Sequence, residues 1–105
     1  MHLVAHRVHN LMSEQVQQLG VELRNWLLLL CAGKPVRPKA AQWAASQLKL
    51  VPSAVFDSDP YGQLIEYALG RLIDDDWTPA REIEDEWRDL LSRMADAEHG
   101  IVRLP

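Results

Sequence analysis

Residues 13–33 read SEQVQQLGVELRNWLLLLCAG and indicate the fold class most clearly. Apolar side chains recur in this stretch at steps of three and four residues, which places them on one face of an α-helix. Leu28 and Leu29 widen that face, so we expect this helix to be central and contacted from several sides. The members of the face are Val16, Leu19, Leu23, Trp26, Leu27 and Leu30.

Both ends of this first helix carry recognisable signals. Ser13 is a good N-cap, and Glu14 follows it in the first turn, where it meets the positive end of the helix dipole. Gly33 is placed to end the helix, and Pro35 excludes its continuation. The spacing therefore predicts a helix that opens at Ser13 and stops before Gly33.

A second helix is predicted after a basic, proline-stiffened connection over residues 34–38. It runs from about residue 39 to 50, and its four alanines allow close approach to a neighbouring helix. Pro52 ends it, because proline disfavours helical geometry in the preceding residue.

Two further helices are predicted downstream. Residues 57–60 read DSDP, in which acidic and hydroxyl caps precede a proline suited to the first helical position. Thr78 and Pro79 give a similar start to the last helix, which Gly100 closes. Apolar stripes follow both starts: Leu64, Ile65, Ala68, Leu69, Leu72 and Ile73 in one, and Ile83, Trp87, Leu90, Leu91 and Met94 in the other.

The predicted fold is all-α, a compact bundle of four or five helices with short loops. No stretch alternates apolar and polar residues long enough to predict a strand. A length of 105 residues fits one domain over residues 1–105, since chains divide into separate cores only at larger sizes. Short connections predict that successive helices are antiparallel neighbours.

Both termini carry short apolar segments. Met12 is followed by Ser-Glu-Gln and resembles a translation start, so we expect residues 1–11 to be an N-terminal extension that adds a turn or two of helix. Polar residues interrupt this segment, so it does not resemble a secretory signal. Residues 101–105 form an apolar tail, which we expect to lie back over the core.

Composition narrows the class of protein. The chain has 48% hydrophobic and 25% charged residues, which is typical of a globular protein. Its longest apolar run is far short of the roughly 20 residues that cross a bilayer, so no membrane partner is expected. A single cysteine, Cys31, forms no internal disulfide and favours a cytoplasmic location. Cys31 lies near the C-terminus of an apolar helix, where we expect a buried core thiol rather than a nucleophile.

Acidic residues between positions 74 and 86 are the strongest charge feature. A solvated connection between two helices is one interpretation, a divalent cation site is a second, and steering of a basic partner protein is a third. Trp77 lies in the same connection, where it is either a hydrophobic staple or an exposed anchor for a partner. The predicted partner-binding residues are Asp74, Asp75, Asp76, Trp77, Glu82 and Glu86.

A metal site and a DNA-binding site are the two minor hypotheses. His2, His6 and His9 share one face if residues 2–9 are helical, and imidazoles at this spacing bind zinc, copper or nickel. Residues 40–56 have the spacing of a helix-turn-helix, but an acidic segment follows at once, and the net charge of −4 makes nucleic acid an unlikely partner.

No motif for catalysis is recognisable. The sequence has no glycine-rich phosphate loop, nucleotide fingerprint or familiar nucleophile arrangement. We therefore expect a protein that is not an enzyme, needs no cofactor and binds another protein, with a homodimer as a compatible state. The helix-turn-helix regulator and the histidine-ligated metal protein are the alternatives.

Overall fold

A computed structural model describes the backbone of residues 2–74 and 80–105, and the side chains of residues 14–74 and 83–105. These ranges form five helices and no strand, which confirms the all-α prediction. No helix in the described ranges is both long and apolar enough to cross a membrane. The helices are α1 (His2–Cys31), α2 (Arg37–Leu50), α3 (Ser53–Asp57), α4 (Pro60–Ile73) and α5 (Ala80–Glu98).

Contacts between the helices define an up-and-down arrangement. Tyr61 at the start of α4 lines one cleft with Glu98 at the end of α5, and Arg71 near the end of α4 bonds to Glu86 near the start of α5, so α4 and α5 run in opposite directions. Arg24 of α1 forms an ion pair with Glu98, the last residue of α5, and Cys31 at the end of α1 lines one groove with Ile83 near the start of α5. α1 is therefore antiparallel to α5 and runs in the same direction as α4. α2 returns from the end of α1, and the single turn of α3 connects it to α4. Successive long helices are therefore antiparallel, but α1 and α2 are not the packed neighbours that the sequence predicts, because α2 packs mainly on α4.

The centre of the bundle is α4, which packs against every other helix. Its apolar stripe is almost completely buried. α1 contacts α3, α4 and α5, as the expected contacts from several sides require, but it is not central: Leu28 is 51% exposed and Leu29 is 39% exposed, because no described helix covers that side of α1. The buried residues of α4 are Gly62, Leu64, Ile65, Ala68, Leu69 and Leu72.

α1 begins at His2 rather than at Ser13, so the predicted N-cap is wrong, while the predicted additional helical turns are confirmed. Residues 2–19 contain neither glycine nor proline. One side-chain cap stabilises a helix terminus by only about 1 kcal/mol and does not stop a helix that can continue. α2 likewise begins earlier than predicted, at Arg37, because Pro38 fits the first turn of a helix.

The predicted glycine stops are confirmed at two helices. Gly33 follows α1 with φ 78°, and the amide N–H groups of Gly33 and Lys34 donate to the carbonyl groups of Leu30 and Leu29 at 3.0 Å. Gly100 has φ 87° and ends α5 with the same pattern. These are Schellman caps, in which a left-handed residue satisfies the last helical carbonyls.

The start of α4 is capped as the sequence predicts. The Asp59 carboxylate accepts a hydrogen bond from the Tyr61 amide at 2.8 Å, and Pro60 occupies the first turn. The predicted cap of α5, Thr78, lies outside the described residues.

Three tryptophans lie on inward faces, as predicted. Trp87 of α5 is buried in the core. Trp26 of α1 and Trp43 of α2 are half-buried and contact each other with ring centroids 6.1 Å apart and planes tilted by 38°. This pair attaches α2 to α1.

The C-terminal tail does not cover the core, contrary to the expectation from the sequence. Ile101 and Leu104 are largely exposed, while Arg103 turns back and forms an ion pair with Asp96 of α5 at 2.6 Å. Arg93 adds a hydrogen bond to the carbonyl group of Arg103 at 2.9 Å. Charged contacts along α5 therefore hold the tail, while Ile101 and Leu104 face solvent.

The turn between α3 and α4 depends on a close backbone approach at Gly62. A Cβ atom at this position would lie 2.6 Å from the carbonyl oxygen and 3.0 Å from the Cα of Phe56. Backbone atoms cannot move aside as a flexible side chain does. Phe56 is buried, so this contact fixes α3 against the central helix.

We predict that Gly62→Ala destabilises the fold by about 1–3 kcal/mol, the usual effect of overpacking. Gly70→Ala is the matched control, because Gly70 lies in the same helix and no atom lies within 4 Å of the added Cβ. Alanine at Gly70 should stabilise the helix by about 0.5–1 kcal/mol. Urea unfolding followed by circular dichroism measures both changes, and equal effects of the two substitutions would contradict the close approach.

Candidate partner-binding surface

The acidic residues predicted to bind a partner lie where α4 ends and α5 begins. Asp74 is the C-cap of α4, and its side chain is 62% exposed. Glu86 lies on the second turn of α5 with a side chain only 23% exposed. Asp75, Asp76 and Trp77 lie outside the described residues, as does the side chain of Glu82.

Arg71 of α4 joins the two described members of this cluster. Its Nε donates to Oε1 of Glu86, and its Nη2 donates to Oε2 of the same carboxylate at 3.0 Å. The Nη1 of Arg71 donates to Oδ2 of Asp74 at 2.7 Å. The bond to Glu86 raises the pKa of the Arg71 guanidinium above its ordinary value, so the group stays charged. The bidentate geometry connects the end of α4 to the start of α5.

This arrangement changes the role that the sequence suggests for Glu86. Its carboxylate is half-buried and neutralised within the chain, so it positions α5 rather than facing solvent. Arg71 is not among the residues that the sequence predicts for this surface. Its spacing of three residues to Asp74 is a visible helical pair, but the contact with Glu86, 15 residues away, depends on the packing of two helices.

Other acidic residues of α5 are also paired. Glu84 bonds to Arg88, and Asp89 bonds to Arg93, both at 2.7 Å and four residues apart. Asp85 is exposed and has no ion-pair partner among the described residues. Among the described residues at this end, the exposed acidic charge therefore lies at Asp74 and Asp85.

Exposed apolar side chains lie at the same end of the bundle. Leu28 and Leu29 belong to the last turn of α1, and Ile73, the last residue of α4, is 38% exposed. We call the surface formed by Leu28, Leu29, Ile73, Asp74 and Asp85 the acidic end.

A shallow groove of about 270 Å³ opens at this end, between the last turn of α1, the first turn of α2 and the first turns of α5. Leu30 and Ile83 line its apolar side. Lys34, Arg37 and Glu84 line its charged side.

A larger cleft of about 440 Å³ lies at the opposite end of the bundle, between α1, the start of α4 and the tail. Val21 and Val102 contribute apolar walls, and the Arg24–Glu98 ion pair lies along it. Tyr61 also lines the cleft, and burial raises the pKa of its hydroxyl. Of the predicted site residues whose side chains are described, Asp74 and Glu86, neither lines this cleft.

Cys31 is half-buried at the end of α1 and packs against the core, which agrees with the predicted structural role. Burial raises the pKa of its thiol above the ordinary value of 9.0, and the nearby Arg88 guanidinium only partly offsets this effect. A thiol with a raised pKa is a weak nucleophile at neutral pH, because only the thiolate reacts.

The histidine hypothesis lies largely outside the described side chains. The backbone at His2, His6 and His9 is helical, so the spacing on which the hypothesis depends is present. Among the described side chains, no cluster of three or more His, Cys, Asp or Glu residues could hold a metal ion.

The geometry of residues 40–56 differs from a helix-turn-helix in its second helix. α3 spans only Ser53–Asp57, a little more than one turn. A recognition helix needs two or three turns to enter the major groove. α3 also packs against α4, and Phe56 is buried there.

Comparison with known proteins adds no relative. No protein-family model, curated protein or solved structure matches the chain.

We predict that the Arg71–Glu86 pair contributes more to stability than the exposed Glu84–Arg88 pair. A double-mutant cycle with Arg71→Gln and Glu86→Gln should give a coupling energy of about 1 kcal/mol or more, because the pair is bidentate and partly buried. The matched cycle with Glu84→Gln and Arg88→Gln should give only about 0.3–0.5 kcal/mol. Thermal unfolding at low salt measures both, and a larger coupling in the exposed pair would show that Arg71 does not clamp α5.

Cys31 should react slowly with iodoacetamide at pH 7, and its rate should rise about tenfold per pH unit as the thiolate forms. Because burial raises the thiol pKa, the midpoint of this rise lies above 9.0 in the folded chain and returns towards 9.0 in concentrated urea. Cys31 is the only cysteine, so mass spectrometry of the whole chain reports its alkylation directly. A midpoint below 9.0 in the folded chain would contradict the structural role.

Proposed function

We propose that this chain is a protein-binding module without enzymatic activity, which acts by occluding or bridging a partner protein through the acidic end. The observation that carries the proposal is the exposure of Leu28, Leu29 and Ile73 at the same end of the bundle as the exposed Asp74 and Asp85. Apolar side chains surrounded by charged ones are typical of a protein interface. We infer a regulator, inhibitor, immunity protein or accessory subunit.

The apolar residues would supply the binding energy. Leu28 has half of its surface in solvent, although it belongs to the most apolar stretch of the sequence. Burying apolar surface on binding yields roughly 25 cal/mol per Å², before the entropic costs of association are subtracted. Leu28 and Leu29 are consecutive, so together they present a wide apolar surface at the end of α1.

The acidic residues would select a partner with a basic surface and accelerate its approach. Asp74 is partly neutralised by Arg71, so Asp85 and the predicted Asp75 and Asp76 would supply most of the attraction. Trp77 follows these residues directly in the sequence and remains our proposed aromatic anchor, and Glu82 remains a proposed partner-binding residue. Glu86 would act through Arg71 by holding α5 in place.

We also infer the domain organisation, the location and the oligomeric state of the chain. The chain works as one domain over residues 1–105, in the cytoplasm, and a homodimer is compatible with its exposed apolar surface. The length of the chain supports the single domain, and the single cysteine supports the location. The exposed apolar surface supports the homodimer.

Affinity capture from lysate of the source organism, with and without nuclease, tests the proposal. We expect a stoichiometric protein that survives nuclease and that is lost with the double variant Leu28→Glu/Leu29→Glu. The matched control is Ile101→Glu/Leu104→Glu, which changes two exposed apolar residues of the tail by the same charge. This control should retain the partner.

Two results would contradict the proposal. Retention of the partner by the α1 variant would exclude the acidic end as the interface, and equal loss with both variants would show that added negative charge alone weakens binding. Sedimentation of the purified chain tests the homodimer, because a dimer that uses this surface should dissociate in the α1 variant only.

A further inference from the structure

Positive charge is segregated within the chain in a way that the net charge conceals. Residues 25–56 contain no aspartate or glutamate, and they hold Arg37 together with all three lysines of the chain, Lys34, Lys39 and Lys49. Residues 57–105 contain 13 acidic residues against 5 basic ones. α2 lies entirely in the basic segment.

The lysines also differ from the described arginines of α1, α4, α5 and the tail in their contacts. All five of those arginines form ion pairs within the chain, among them Arg71 with Glu86 and Arg103 with Asp96. Lys34, Lys39 and Lys49 are exposed, and no described acidic residue pairs with them. Their charges are therefore available to a ligand.

Polar residues form one stripe on the outer side of α2. Lys39, Gln42, Ser46 and Lys49 follow one another at steps of three, four and three residues, and all four are exposed. This spacing places them on one face of a helix. The two lysines are ten residues apart, or about 15 Å along the helix axis. We call these four residues the α2 stripe.

We propose that the α2 stripe, with Lys34, binds the phosphodiester backbone of a nucleic acid duplex. Lysine ammonium, serine hydroxyl and glutamine amide groups are the side-chain donors that contact phosphates. The proposal goes beyond the proposed protein partner: the α2 stripe shares no residue with the acidic end, and Lys34 lies at the groove between the two surfaces. It also differs from a helix-turn-helix, because α2 contacts the backbone and α3 enters no groove.

The composition of the stripe favours a duplex over other polyanions. An acidic protein partner would need large apolar or aromatic anchors at the interface, and the stripe has none between Lys39 and Lys49. A membrane surface would need an apolar face to insert, and α2 packs its apolar face against α4. Single strands bind mainly by stacking on aromatic residues, which the stripe also lacks.

Fluorescence anisotropy with a labelled 20-base-pair DNA duplex, and with the RNA duplex of the same sequence, tests the proposal. Three phosphate contacts predict a slope of about −2.7 in log affinity against log salt, hence a loss of about 40-fold between 50 and 200 mM NaCl. Lys39→Gln/Lys49→Gln should weaken binding at 50 mM NaCl and reduce the loss on adding salt to about 3- to 4-fold.

The matched control is Arg88→Gln/Arg103→Gln, which gives the same net charge by removing two exposed cations from α5 and the tail. It should retain the salt slope of the unchanged chain. Circular dichroism checks that both variants stay folded. Equal affinity for the two duplexes supports backbone contact as such, and a preference for one of them identifies which duplex the stripe takes.

Three outcomes would overturn the proposal. The first is no binding of either duplex at 50 mM NaCl with 100 µM protein, roughly the weak limit of non-specific binding. The second is equal weakening by both double variants, which would show an effect of net charge alone. The third is binding of a 20-residue polyglutamate peptide as tightly as the duplexes, which would favour an acidic protein instead.

Discussion

Burial of the apolar face of α4 is the interaction on which the rest of the structure depends. This helix packs against α1, α2, α3 and α5, and its inward residues are almost fully removed from water. Because this 14-residue helix packs against four others, specific contacts fix the position of each of its ends. The close approach of Gly62 to Phe56 fixes its start, and the bonds of Arg71 to Glu86 fix its end against α5.

The same packing decides which charges remain available. The described arginines of α1, α4, α5 and the tail meet carboxylates on neighbouring turns or helices and are held in ion pairs. The guanidinium group suits this role, because its planar fork matches a carboxylate. α2 has no acidic residue of its own, and its two lysines lie on the side that faces away from the core. They therefore stay exposed without an ion pair to a described carboxylate. The acidic end and the α2 stripe therefore present opposite charges on one small bundle, although the net charge is only −4.

Much of the candidate surface could be predicted from the sequence, and the missing part has a clear cause. Asp74, together with Asp75 and Asp76, is visible as a charge run after an apolar stripe. The exposure of Leu28 is not visible, because an apolar residue on a long helix reads the same whether a neighbour covers it or not. Glu86 appears as one more surface acid in the sequence, and only the position of α4 shows that it is half-buried and paired.

The sequence by itself determined the all-α class, the helical stripes, the glycine stops at Gly33 and Gly100 and the cap at Asp59, because these follow from local periodicity and backbone preferences. It also placed three tryptophans on inward faces. Only the tertiary structure decided that α4 rather than α1 is central, that α3 is a single turn and that Arg71 joins two helices. These features depend on which faces meet across the bundle, and contacts between residues far apart in the chain leave no periodic signal in the sequence.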